Sequence, residues 1–246
     1  MGEVIAIASG KGGTGKTSVC AGLATALAQT GCAVLCVDCD VGLRNLDISL
    51  GMGDGGALSF LDVCQGNYTI EDAPRHELYP SLAFLTAPMN CPAEDIEQDV
   101  FVRFVRQARV RFDFIFLDAP AGLDAGFRLV SAAAEEFFLV TGPGPAAIRD
   151  AGRVGELLEL AGKTRVRLIV NRVEKDMLSA LGITVDDVMD AAGLPLAGIV
   201  PEDPNILLAA SFGRPLLSYR PHCPAAAAFR RMAGRLQGFH RPIPLK

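Results

Sequence analysis

The sequence carries no surplus of basic residues: 23 Lys and Arg stand against 28 Asp and Glu, a net charge of −5. That balance excludes a globally basic nucleic-acid binder, so an anionic partner must be met by a local patch. Charge is also too sparse for a disordered chain, at 21% charged against 50% hydrophobic residues. The chain opens Met1-Gly2-Glu3-Val4, without the basic and apolar regions of a secretory leader. The expected compartment is the cytoplasm, where Cys20, Cys32, Cys36, Cys39, Cys64, Cys91 and Cys223 stay free thiols. Residues 17–37 carry no charge, but Gln29-Thr30-Gly31 breaks them into a helix and a short β-rich run, too short to span a membrane. Repeats and low-complexity linkers are missing, so one continuous domain over 1–246 is expected.

What is present is alternation. Short aliphatic and β-branched runs predict strands over 4–9, 33–37, 82–86, 114–118, 136–141, 166–171 and 196–200. Between them, helical spacing predicts helices over 16–29, 93–109, 125–133, 146–161, 185–191 and 225–236. This is the pattern of an α/β fold, a mostly parallel sheet with helices on both faces. Several strands run directly into residues with chemistry, which in such sheets gather at the carboxyl edge where ligands bind.

Gly10-Lys11-Gly12-Gly13-Thr14-Gly15-Lys16-Thr17 fits the phosphate-loop pattern and lies between a predicted strand and a predicted helix. Glycines let backbone amides turn toward phosphate oxygens, and the helix start, including Ser18, adds its positive end. Lys16 supplies a mobile cation and Thr17 a hydroxyl for Mg²⁺. Lys11 is not demanded by that pattern; two lysines so close repel unless one meets phosphate charge or reaches outward. Asp38 and Asp40 follow the second strand, where carboxylates can face a γ-phosphate and its metal. The apolar run 114–117 ends in Asp118, an acid of the Walker B type that holds Mg²⁺.

Lys11 to Thr17 match the motif Lys-Gly-Gly-x-Gly-Lys-Thr, by which the chain resembles the MinD/ParA family of deviant Walker A P-loop ATPases. The run Asp40-Val41-Gly42-Leu43-Arg44-Asn45-Leu46-Asp47 is similar to the division-site-selection members rather than to the plasmid-partition members, which read Asp-Pro-Gln there. The resemblance implies an ATPase with ATP and Mg²⁺ as cofactors and a face-to-face homodimer in which Lys11 reaches the partner's nucleotide. It also implies that Asp40 orients the attacking water, that Arg44 and Asn45 lie in a first switch, and that Ala119-Pro120-Ala121-Gly122 form a second. Asn171 and Arg172 would meet adenine, with Pro201, Glu202 and Asp203 completing the base pocket.

Three segments depart from the family: Gly142-Pro143-Gly144-Pro145, the bare run Gly51-Met52-Gly53-Asp54-Gly55-Gly56, and the ending Pro242-Ile243-Pro244-Leu245-Lys246. Two prolines there oppose the lipid-binding amphipathic helix of the division-site members, so membrane contact is expected through a partner. A protein activator or effector is implied as well. Two basic clusters leave non-specific DNA open as a partner, and with it a DNA-riding positioning ATPase. These are Arg103, Arg106, Arg109 and Arg111, and the acid-free end after Asp203. The stripe Phe229, Met232, Ala233 and Leu236 instead favours a docked helix with its arginines in solvent. An iron-sulfur carrier would need bridging thiols, but Cys36 and Cys39, three apart on a strand, point to opposite faces. His76, His222 and His240 show no ligand spacing, so no metal beyond Mg²⁺ is expected.

Overall fold

A computed structural model describes residues 1–53, 58–174, 176, 180 and 182–243. All seven expected strands form: β1 (Glu3–Ala8), β2 (Val34–Asp38), β3 (Leu82–Leu85), β4 (Phe114–Asp118), β5 (Glu136–Thr141), β6 (Arg165–Val173) and β7 (Leu196–Pro201). They make one all-parallel sheet in the order β3-β2-β4-β1-β5-β6-β7. The chain moves to one side of β1 for β2 to β4 and to the other for β5 to β7. That reversal opens a crevice beside the loop leaving β1.

Both faces of the sheet are covered, which is why its strands read as unbroken apolar runs. Val4, Ala6 and Ala8 point to one core, and Ile5 and Ile7 to the other. The first core lies under α3 (Phe60–Cys64), α4 (Gln98–Ala108), α5 (Ala125–Ala133), α6 (Pro145–Leu160) and α7 (Val185–Ala192). The second lies under α1 (Lys16–Ala28), α2 (Leu46–Leu50), α8 (Pro204–Ser211), α9 (Leu216–Tyr219) and α10 (Pro224–Leu236). Cys36 belongs to the second core and Cys39 to the first, so the two thiols are separated by the sheet itself.

Four of these helices, α2, α3, α8 and α9, were not expected from periodicity; each has eight residues or fewer and depends on tertiary contacts for its stability. The helix expected over 93–109 is broken. A single turn spans Ala93–Asp95, Ile96 and Glu97 are extended, and α4 starts at Gln98, because Ile96 is drawn into the core. The segment 142–145 ends at the start of α6, with Gly144 as cap and Pro145 in the first turn. No helix among the described residues is long and apolar enough to cross a membrane. Residues 54–56 and 244–246, parts of the two other departures from the family, lie outside the described residues.

The basic clusters are less free than their sequence suggests. Arg109 grips Glu135 and the Gly2 carbonyl, and Arg111 pairs with Glu71, leaving Arg103 and Arg106 exposed. Helix α10 is docked as expected: Phe229 presses on Gly22 of α1, where a Cβ would come within 2.5 Å of its ring. Its arginines, however, are not all in solvent. Arg230 donates to the Pro221 carbonyl, and Arg235 donates to the Ala197 carbonyl at 2.5 Å.

Candidate nucleotide site

The loop between β1 and α1 is shaped by glycines and braced from outside. Gly13 and Gly15 adopt φ of +76° and +90°, left-handed conformations that glycine takes at little cost. Asn171, buried at the end of β6, donates from Nδ2 to the Thr14 carbonyl at 2.8 Å and lies where a Gly15 side chain would be. Gly10 packs against Asp150 of α6, which leaves no room for a Cβ. Asp150 also faces Lys11: Nζ stands 3.0 Å from Oδ2, within ion-pair reach but not aligned as a hydrogen bond.

At the mouth of this loop two carboxylates sit side by side. Asp38 and Asp118 are register partners on β2 and β4, and both are buried. Burial pushes Asp38 up to about 6, although it accepts hydrogen bonds from Asp40 N (2.9 Å) and Leu46 N (3.2 Å). Asp118 is pushed up by burial first and by Asp38 next, with the Thr17 hydroxyl and the Lys16 ammonium favouring its charged form. Burial lowers Lys16, while Asp118 and Asp40 hold its proton on. Asp118 Oδ1 is buried without a hydrogen-bond partner among the described residues, and so is Thr14 Oγ1. Unpaired buried oxygens are costly, so two adjoining acids with a free lone pair fit a cation. The residues therefore suit Mg²⁺ beside a phosphate chain.

The segment expected as the first switch is folded back on itself. Asp40 Oδ1 accepts from Gly42 N and Leu43 N, both at 3.2 Å. Arg44 has φ +46° and donates from Nε to Thr86 Oγ1 at 2.9 Å. Asn45 caps α2. In the segment expected as the second switch, Gly122 takes φ +93°.

The expected base-pocket residues divide. Arg172, at φ +58°, sends Nε to within 3.9 Å of Glu202 Oε2 beside Pro201. The carboxylate of Asp203 is spent elsewhere: Oδ1 accepts from Asn205 N and Nδ2, and Oδ2 from Ala225 N, capping α8 and α10. Burial alone would raise its pKa, but these donors hold it low. Ser18 lines a crevice toward α2 and α8. Lys11, Lys16, Thr17, Asp38, Asp40, Asp118 and Asn171 are thus assembled at one edge of the sheet. Asp150 and Thr86 were missed by sequence reasoning; neither belongs to a motif, and only packing brings them to the loop.

Comparison with known proteins agrees with this geometry. The family model described as CobQ/CobB/MinD/ParA nucleotide binding domain matches residues 5–216. A septum site-determining protein MinD from Synechocystis sp. is 38% identical over 245 residues, covering 99% of this chain and 92% of that protein. Among solved structures, a chain of the MinC:MinD cell division protein complex of Aquifex aeolicus superposes with a TM-score of 0.90 at 34% identity, covering 98% of each chain. Pyrococcus horikoshii MinD complexed with Mg-ADP gives a TM-score of 0.82 at 32% identity, covering 96% of each.

Proposed function

The chain belongs to the CobQ/CobB/MinD/ParA family of nucleotide-binding domains, and from that premise we propose that it is a MinD-like ATPase, a nucleotide-controlled spatial switch in division-site selection. The observation that carries this reading is Asp118 Oδ1, buried without a partner among the described residues, beside Asp38 at the mouth of the glycine loop. Thr17, Asp38 and Asp118 would hold Mg²⁺ there, and the ion would offset phosphate charge. Backbone amides from Gly10, Gly12, Gly13, Thr14 and Gly15 through Ser18 cradle the phosphates, and Lys16 meets their developing negative charge. Asp40 exchanges its turn hydrogen bonds for the attacking water. Asn171, Arg172, Pro201 and Glu202 border the base, with Asp203 fixing the helices behind them.

Lys11 is held by Asp150 within its own chain; in a face-to-face homodimer it would leave that carboxylate for the partner's nucleotide. The lifetime of the dimer is then the output, because only the dimer presents the assembled surface. The Aquifex relative was solved with MinC, and we infer a protein effector of that kind for this chain, through which it reaches a membrane from the cytoplasm.

Sedimentation with ATP, with and without Mg²⁺, tests the reading. Wild type should dimerise only with both, Asp40→Ala should stay dimeric, and Lys16→Ala should lose nucleotide binding. Normal turnover in Lys16→Ala, or a strictly monomeric Asp40→Ala, contradicts it. Salt-sensitive, ATP-dependent retention on DNA would move the assignment to a DNA-riding positioner.

A further inference from the structure

Helix α2 has five residues, too few to persist in water on its own, so its position depends on its tethers. At its start, Leu46 N donates to Asp38 Oδ2. At its end, His76 Nε2 lies 2.9 Å from the Leu50 carbonyl oxygen. The other ring nitrogen, Nδ1, accepts from Leu78 N at 3.0 Å and Tyr79 N at 3.2 Å. A neutral imidazole accepting at Nδ1 carries its proton on Nε2, so the ring donates to Leu50. His76 is buried and rests on the Tyr79 ring, 5.0 Å between centroids, and the Tyr79 hydroxyl accepts from Gln29 at the end of α1. Gly51, just past α2 at φ +68°, abuts the Gly213 carbonyl, where a Cβ would come within 2.6 Å.

We propose that His76 is a positioning residue for the nucleotide site: its hold on the Leu50 carbonyl fixes the far end of the helix whose near end is bonded to Asp38. This rests on the nucleotide reading above. His76 touches none of the phosphate-loop residues and acts through α2. Asp38 divides its two oxygens between Asp40 N and Leu46 N, so a drifting α2 would turn that carboxylate and loosen the Asp40 loop together. One hydrogen bond is worth about fivefold in an equilibrium constant.

Two variants separate the ring's two jobs. H76Q keeps an N–H near the Nε2 position and loses the acceptor at Nδ1; H76N keeps an acceptor near Nδ1 and loses the donor to Leu50. Hydrogen exchange of the α2 amides in nucleotide-free protein is read beside the Kd for ATP with Mg²⁺ and kcat. H76N should exchange faster at α2, bind ATP about fivefold more weakly and turn over more slowly, while H76Q stays near wild type on all three. Unchanged α2 exchange in H76N, faster exchange with unchanged ATP affinity, or equal damage in H76Q would each overturn the proposal. Wild-type protein that binds no ATP would overturn the nucleotide reading and this proposal with it. Faster α2 exchange in H76N would then mark that failure as one of the site, with the tether itself left standing.

Discussion

Two buried carboxylates at opposite edges of the sheet show how differently a fold can treat the same group. At the amino edge, Glu136 is 1% exposed and both its oxygens are taken, by Arg165 at 2.6 Å and by Arg167. At the carboxyl edge, Asp118 is 2% exposed, adjoins a second acid and keeps one oxygen unpaired among the described residues. The first arrangement is complete and serves stability. The second raises the free energy of the protein alone and lowers it when a cation and phosphates arrive. Burial of charge therefore does not mark a functional site, whereas burial without satisfaction does.

The sharpest way to break this contrast is Asp118→Asn. It should abolish ATP binding with Mg²⁺ yet stabilise the nucleotide-free protein by about 1–2 kcal/mol, because a neutral amide replaces a carboxyl whose ionisation burial and Asp38 oppose; a lower melting temperature would erase the distinction. Glu136→Gln is the mirror experiment. It should cost about 2 kcal/mol in denaturant melts, reduced because both arginines are partly exposed, and leave ATP affinity unchanged. Asp203→Ala removes two helix caps and should cost about 1–2 kcal/mol, with ATP affinity falling only if α8 shifts the base-side loop.

The smallest effect is a pH slope. Burial lowers His76 below its ordinary value, opposed by the Leu50 carbonyl and Glu77. The ring is thus neutral in the fold, and its contribution is fully present above the unfolded value of about 6.5. It is lost as pH falls through the folded value, since the unfolded chain then binds the proton more readily. Melting curves from pH 8 to 5 should show a decline that H76Q lacks; parallel profiles would remove His76 from the account.

The strands were legible because a parallel sheet covered on both faces needs apolar side chains on both, and runs such as 114–117 have little other use. The phosphate loop was legible because glycine, lysine and threonine at that spacing serve the chemistry locally. The short helices were not, since eight residues or fewer leave little periodicity to read, and the far end of α2 is held by His76, 26 residues away in the chain. Asp203 shows the same limit: beside Pro201 and Glu202 it reads as part of a base pocket, but the N–H of Ala225 claims one of its oxygens.

By itself the sequence determined the strand set, the layering and the phosphate-binding loop, because periodicity and backbone freedom act over a few neighbouring residues. Tertiary structure alone decided which charges are paired. Lys11 faces Asp150, Asn171 braces Thr14, and His76 ties down α2. Each of those contacts joins residues far apart in the chain, and their partners become neighbours only when the sheet closes and water is excluded.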